Sequence, residues 1–89
     1  MSNHEANQKK DTLIVTFNGV DESLKYEPHA QVEALLKHAL DAFGVHDNRH
    51  TMSLFTEAGV ELPDHSSIEA AGVKPGDVLI LRPSAVKGG

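Results

Sequence analysis

The 89-residue sequence contains no cysteine and no tryptophan, and its only large rings are three phenylalanines and one tyrosine. The absence of cysteine excludes a disulfide scaffold, thiol catalysis and most structural zinc sites, and it fits a reducing compartment such as the cytoplasm. No apolar run approaches the roughly 20 residues of a membrane span. The formal net charge is −5, so the basic patch of a nucleic-acid binder is missing too. We therefore expect one cytoplasmic domain with neither nucleic-acid nor membrane partners.

The first part of the chain predicts a tail followed by a β-hairpin. Residues 1–11 have no apolar core, which excludes a signal peptide, and we expect them to form a flexible tail. Residues 12–17, TLIVTF, are rich in β-branched types, and residues 22–27, ESLKYE, alternate in polarity. Asn18-Gly19 between them is a strong hairpin signal.

One amphipathic helix follows. Apolar residues recur at helical spacing, with polar residues between them and a glycine, Gly44, that ends the helix as a C′ residue. Val45 is placed to contact Leu40, as in a Schellman cap. No good N-cap residue precedes the helix, because Gln31 is a weak substitute for Ser, Thr, Asp or Asn. The apolar positions are Val32, Leu35, Leu36, Ala39, Leu40 and Phe43.

The second half predicts more strands. Residues 51–56 form a strand with Met52 and Leu54 on one face, and residues 60–63 form a short one. Residues 64–73 could hold one helical turn with Ile68 and Val73 inward, KPGD suits a type II turn, and residues 77–82 form the last strand. A single amphipathic helix must bury its stripe against a sheet, so we predict an α+β domain over residues 12–83 with the helix packed across a mixed sheet. Residues 84–89 are expected to form a flexible tail.

Both faces of the last strand are apolar. If Val78 and Ile80 face the helix, Leu79 and Leu81 are displayed on the open sheet face beside Phe55. An exposed apolar patch there would mark a partner-binding site. The alternatives are that the tail shields the two leucines or that the strand register is shifted by one residue.

Two histidine-containing patterns suggest chemistry only weakly. His46 and His50 have the spacing of metal ligands on a helix, but they flank Asp47-Asn48 in a polar loop. Asp64, His65 and Ser66 have the residue types of a catalytic triad, but sequence neighbours rarely point at each other. We therefore expect no metal site, no cofactor and no enzymatic activity.

The order and spacing of these elements resemble a ubiquitin-like β-grasp protein. YEPHAQVEALLKHALDAFGV resembles the stretch of ubiquitin from the second strand through the helix to its terminating glycine. GVELPDHSSIEAAGVKPGDVLILRP resembles the later part of that family, and Gly88-Gly89 matches the end of mature ubiquitin-like modifiers. The diffuse similarity is typical of prokaryotic relatives, including bacterial ones.

The resemblance implies a protein modifier. In that family an ATP-dependent activating enzyme adenylates the terminal carboxylate and converts it to a thioester, and a conjugating enzyme then forms an isopeptide bond that a deconjugating protease removes. Gly88 and Gly89 would be the conjugation site of a chain that is monomeric when free. The alternative is that the two glycines are a frayed chain end without a function.

The resemblance also implies a recognition face on the sheet. Ubiquitin carries an isoleucine on the middle strand of this face, and Ser53 stands at that position here, so dedicated partners rather than general ubiquitin receptors are expected. The implied partner-contacting residues are Ser53, Phe55, Leu79, Leu81 and Arg82.

Two other functions stay open. Sulfur carriers share the β-grasp fold and the Gly-Gly end, form a C-terminal thiocarboxylate, and also resemble GDVLILRPSAVKGG with its proline before the glycines. A non-conjugated interaction domain is the third possibility.

Overall fold

The computed structural model describes residues 11–87. Its hairpin consists of β1 (Thr12–Phe17) and β2 (Val20–Lys25), paired antiparallel. Asn18 and Gly19 have φ values of 52° and 80°, and positive φ at both central positions is the requirement of a type I′ turn. The predicted hairpin is confirmed, although β2 begins and ends two residues earlier than the alternation suggested.

The helix α1 (Val32–Ala42) buries its predicted stripe. The amide of Val45 donates to the Leu40 carbonyl at 2.9 Å, and the amide of Gly44 donates to the Asp41 carbonyl at 3.1 Å, which is the Schellman pattern. Gly44 has a φ of 67°, a left-handed conformation that glycine adopts without steric cost.

The start of α1 is capped by a distant loop rather than by its own N-cap side chain. Gln31 makes no side-chain cap bond. Instead, the amide of Val32 donates to the Ser66 carbonyl at 2.8 Å, and that of Glu33 donates to the Asp64 carbonyl at 3.0 Å. Tertiary contacts thus satisfy the free amides that a Ser or Asp cap would have satisfied.

A short 3₁₀ turn (Arg49–Thr51) leads into β3 (Met52–Thr56), and β4 (Val78–Pro83) completes a four-stranded sheet within the described residues. The strand order is β2-β1-β4-β3, with β1 and β4 parallel and the other pairs antiparallel. The α+β prediction, one helix with a mixed sheet, is confirmed.

The segment between β3 and β4 is less regular than the sequence suggested. The predicted strand over 60–63 is reduced to one isolated bridge between Phe55 and Glu61. Residues 64–73 contain turns but no helix. Ile68 and Val73 are nevertheless buried as predicted, and Gly76 has the positive φ that a type II turn needs at its third position.

The predicted orientation of β4 is wrong. Leu79 and Leu81 are 1% and 2% exposed and belong to the core, whereas Val78 and Ile80 are half-buried on the other side of the sheet. All four side chains are apolar, so the polarity pattern of the strand does not distinguish its faces. The error is the one-residue shift that exchanges the two faces of a strand.

Candidate functional site

The sheet has one face against α1 and one face turned away from it, which we call the outward face. Alternation along the strands places on it the residues that flank the buried core positions. The strand registers bring them together: Ile80 lies opposite Phe55 on one side and Thr16 on the other, and Val78 lies opposite Ile14. The outward face of the two central strands and β3 comprises Ile14, Thr16, Ser53, Phe55, Val78, Ile80 and Arg82.

Arg82 covers the largest side chain of this face. Its guanidinium carbon lies 4.2 Å from the centroid of the Phe55 ring, and Phe55 is only 3% exposed although it is not part of the core cluster. A cation over an aromatic face is favourable by about 0.5–1 kcal/mol at an exposed site. Of the five predicted partner-contacting residues, Arg82 is exposed, Phe55 lies beneath it, and Leu79 and Leu81 are withdrawn into the core.

Ser53 is fully buried although it lies on the outward face. Its hydroxyl donates to Oε2 of Glu61 at 2.8 Å. The same carboxylate accepts from the residues that follow β4. We call residues 84–87 the C-terminal segment.

The C-terminal segment is attached to the body at its first residue. The amide of Ser84 donates to the Thr51 carbonyl at 2.7 Å, and its hydroxyl donates to Oε2 of Glu61 at 2.5 Å. The Ala85 amide makes a longer contact of 3.4 Å with Oε1 of the same carboxylate. These bonds hold the pKa of Glu61 below its usual value, with the Ser84 bond contributing most and the Ser53 bond next.

Lys87 attaches the other end of the segment. Its Nζ lies 2.8 Å and 3.0 Å from the two carboxylate oxygens of Asp64 and donates to the Met52 carbonyl at 2.8 Å. The side chains of Lys87 and Asp64 are 24% and 26% exposed, so the pair is shielded from much of the solvent. The expectation of a flexible tail from residue 84 did not anticipate these contacts, because nothing local in the sequence signals them.

The predicted conjugation residues, Gly88 and Gly89, lie outside the described residues, as do residues 1–10 of the predicted N-terminal tail. The proposal that the two glycines carry chemistry therefore stays a prediction.

Two residues of the triad-like run have other partners in the structure. His65 lies 3.5 Å from Glu33, while Asp64 pairs with Lys87, so neither side chain is paired with the other. Over residues 11–87, no three His, Asp or Glu side chains are grouped closely enough to hold a metal ion. The same range holds no helix with the length and hydropathy required to cross a membrane.

No family model and no curated protein matches the chain. Similar solved structures exist. Caldiarchaeum subterraneum ubiquitin aligns with a TM-score of 0.71 and 23% identity over 89% of this chain and 99% of that one. A designed protein based on ubiquitin aligns with a TM-score of 0.74 and 18% identity over 91% and 96%.

A third similar structure is ATBAG1, solved in complex with HSP70, with a TM-score of 0.71 and 17% identity. The alignment covers 85% of this chain but only 41% of the ATBAG1 chain, so the chain spans about two fifths of that protein. Identities at this level establish the architecture alone. The chain has the ubiquitin-like β-grasp fold.

Proposed function

We propose that this chain is a ubiquitin-like protein modifier, joined to target amines through Gly89 after activation by an ATP-dependent enzyme. The observation that carries the proposal is the combination of a ubiquitin-like β-grasp body with two adjacent glycines shortly after its last strand. Glycine has no side chain, so a terminus of this kind fits a narrow channel and keeps its carboxylate unhindered.

The proposed chemistry uses a free Gly89 carboxylate, whether present from synthesis or exposed by processing. One carboxylate oxygen attacks the α-phosphate of ATP, and pyrophosphate leaves. A cysteine thiolate of the activating enzyme then displaces AMP to form a thioester, and a target amine displaces the thiolate to form an amide. The chain is thus a substrate of enzymes, and the catalytic groups belong to its partners.

The outward face is the surface on which we propose that these partners dock. Val78 and Ile80 take the place that the sequence had suggested for Leu79 and Leu81, while Phe55 and Arg82 stay on the face as predicted. The face combines half-buried apolar side chains with a single exposed cation, and apolar patches rimmed by polar groups mark interaction sites.

The terminus is tested by incubating the chain with ATP, magnesium and its activating enzyme. We expect a thiol-sensitive adduct on a non-reducing gel, slower formation with Gly88→Ala, and none when Gly89 is deleted. Val86→Ala is the matched control, because Val86 is 81% exposed in the same segment and should react like the unaltered chain. Full adduct formation without Gly89 would refute the proposal.

The mass of the product separates the modifier from its alternative. An isopeptide on a lysine supports modification. A gain of about 16 Da, the replacement of oxygen by sulfur, would instead assign the chain to the sulfur carriers, which use the same activation step to prepare a thiocarboxylate. If no adduct forms, the remaining alternative is a non-conjugated interaction domain.

A further inference from the structure

We propose that the C-terminal segment is a latch: Glu61 and Asp64 hold it folded against the body, and its release frees residues 84–87 to extend toward an activating enzyme. The latch itself rests only on the contacts within residues 11–87. Its consequence for activation rests on the proposed function.

Ser84 is the hinge of the latch. Its hydroxyl donates to Glu61 and also accepts from the amides of Val86 and Lys87, at 3.0 Å and 2.9 Å. A serine hydroxyl that accepts amides two and three residues ahead bends the backbone into a tight turn. The segment therefore turns back at Ser84, whereas four extended residues would reach up to roughly 13 Å.

Lys87 closes the latch. An ammonium group has three donors, and here the Met52 carbonyl and the two Asp64 oxygens accept from it. The serine that starts the segment and the lysine that ends its described part each meet a carboxylate of the loop that follows β3. Within residues 11–87, the other acidic residues between β3 and β4, which are Glu57, Glu69 and Asp77, make no hydrogen bond or ion pair with the segment.

The latch can open without loss of the fold. The C-terminal segment contributes no residue to the core cluster, and Asp64 caps α1 through its backbone carbonyl rather than its side chain. Asp64→Asn therefore removes the charge that holds Lys87 but keeps the cap. We expect the loss of one charged contact to raise the open fraction by about three- to tenfold.

A lysine-specific protease reports the open fraction, because it must take the Lys87 side chain away from Asp64 to cut before Gly88. When opening and closing are fast relative to cleavage, the cleavage rate follows the open population. We expect Asp64→Asn and Glu61→Gln each to release the two glycines about three to ten times faster than the unaltered chain. A peptide of residues 84–89 sets the upper limit. Asp47→Asn, at an exposed loop position, is the matched control and should cut at the unaltered rate.

Backbone ¹⁵N relaxation provides a second readout that needs no enzyme. We expect order parameters near 0.8 for the amides of Ala85 to Lys87 and lower values for the same amides in Asp64→Asn, while the amides of the four strands and α1 keep their values. Equal cleavage rates in all variants, or values below about 0.6 in the unaltered chain, would overturn the latch. Failure to form an adduct with an activating enzyme while these readouts hold would overturn the proposed function alone.

Discussion

At the scale of single residues, Leu81 tests the orientation of β4. Leu81→Glu would bury a carboxylate among core side chains, and an uncompensated buried charge costs several kcal/mol. We expect the variant to lose cooperative unfolding or to shift its urea midpoint far downward, as followed by circular dichroism. Arg82→Glu, one residue along and outward, should unfold close to the unaltered midpoint. A Leu81→Glu chain as stable as Arg82→Glu would show that Leu81 is not core.

Arg82→Glu also tests the outward face. We expect it to weaken binding to the proposed activating enzyme by about tenfold or more, because it removes the cation that covers Phe55 and places a negative charge on the proposed docking face. Isothermal titration calorimetry measures the change. Lys37→Glu, at an exposed position of α1, makes the same change in net charge and should leave the affinity unaltered. Equal losses in both variants would point to net charge rather than to this face.

Glu61 makes attachment of the C-terminal segment depend on pH. Its pKa is lowered by the bonds from Ser84 and Ser53, so the carboxylate form is favoured in the attached state. The contact is then fully present above the ordinary pKa of glutamate, about 4.3, and is lost as the pH falls through the lowered value. Amide shifts of Ser84 and Ala85, followed by NMR between neutral and acid pH, should report detachment at the acid end.

Lys87 also acts on this carboxylate and is itself paired with Asp64, so the titration is repeated with Glu61→Gln. The acid-induced change at Ser84 should shrink in that variant. An identical change would show that Glu61 is not the group responsible.

At the scale of elements, α1 depends on its buried stripe. Leu36 is 7% exposed, and Leu36→Ala should lower the free energy of unfolding by about 2–5 kcal/mol. Lys37→Ala, one residue along on the exposed side, should change it by less than about 0.5 kcal/mol. Urea unfolding of both variants measures the difference, and equal midpoints would mean that the helix register is wrong.

The elements also show where sequence reasoning succeeds and where it stops. The hairpin and α1 follow from local signals, Asn18-Gly19 and a stripe ended by Gly44, because turn geometry and helical spacing are decided within a few residues. The orientation of β4 is decided by its register against β1 and β3, which is not local. The cap of α1 is equally non-local, since it is formed by carbonyls more than thirty positions away at Asp64 and Ser66.

The candidate site was predictable only in part, for the same reason. The outward position of Phe55 followed from alternation along β3, and so did that of Ser53. Their burial did not follow, since it depends on Arg82 and on the Glu61 carboxylate, which come from other parts of the chain. Nothing in the sequence indicated that Lys87 contacts the body, because a lysine near a chain end is ordinarily solvated.

At the scale of the whole molecule, the body should fold without its C-terminal segment. A chain that ends at Pro83 keeps every core residue and all four strands. We expect its circular dichroism to match that of the full chain and its free energy of unfolding to fall by no more than about 2 kcal/mol, the scale of a few exposed polar contacts. Broad, non-cooperative melting of the shortened chain would show that residues 84–89 are part of the domain.

The position of β4 between β1 and β3 affects the order in which the parts of the sheet form during folding. The hairpin and the body of α1, apart from its cap, are built from local contacts, and elements of this kind form within microseconds. The parallel pairing of Ile14 with Val78 must first close a loop of roughly 60 residues, and the entropy of that closure is lost before any contact compensates it. We therefore expect the centre of the sheet to form last. Until β4 arrives, β1 and β3 each have a bare edge, and in that interval the chain is most prone to pair with another copy of itself.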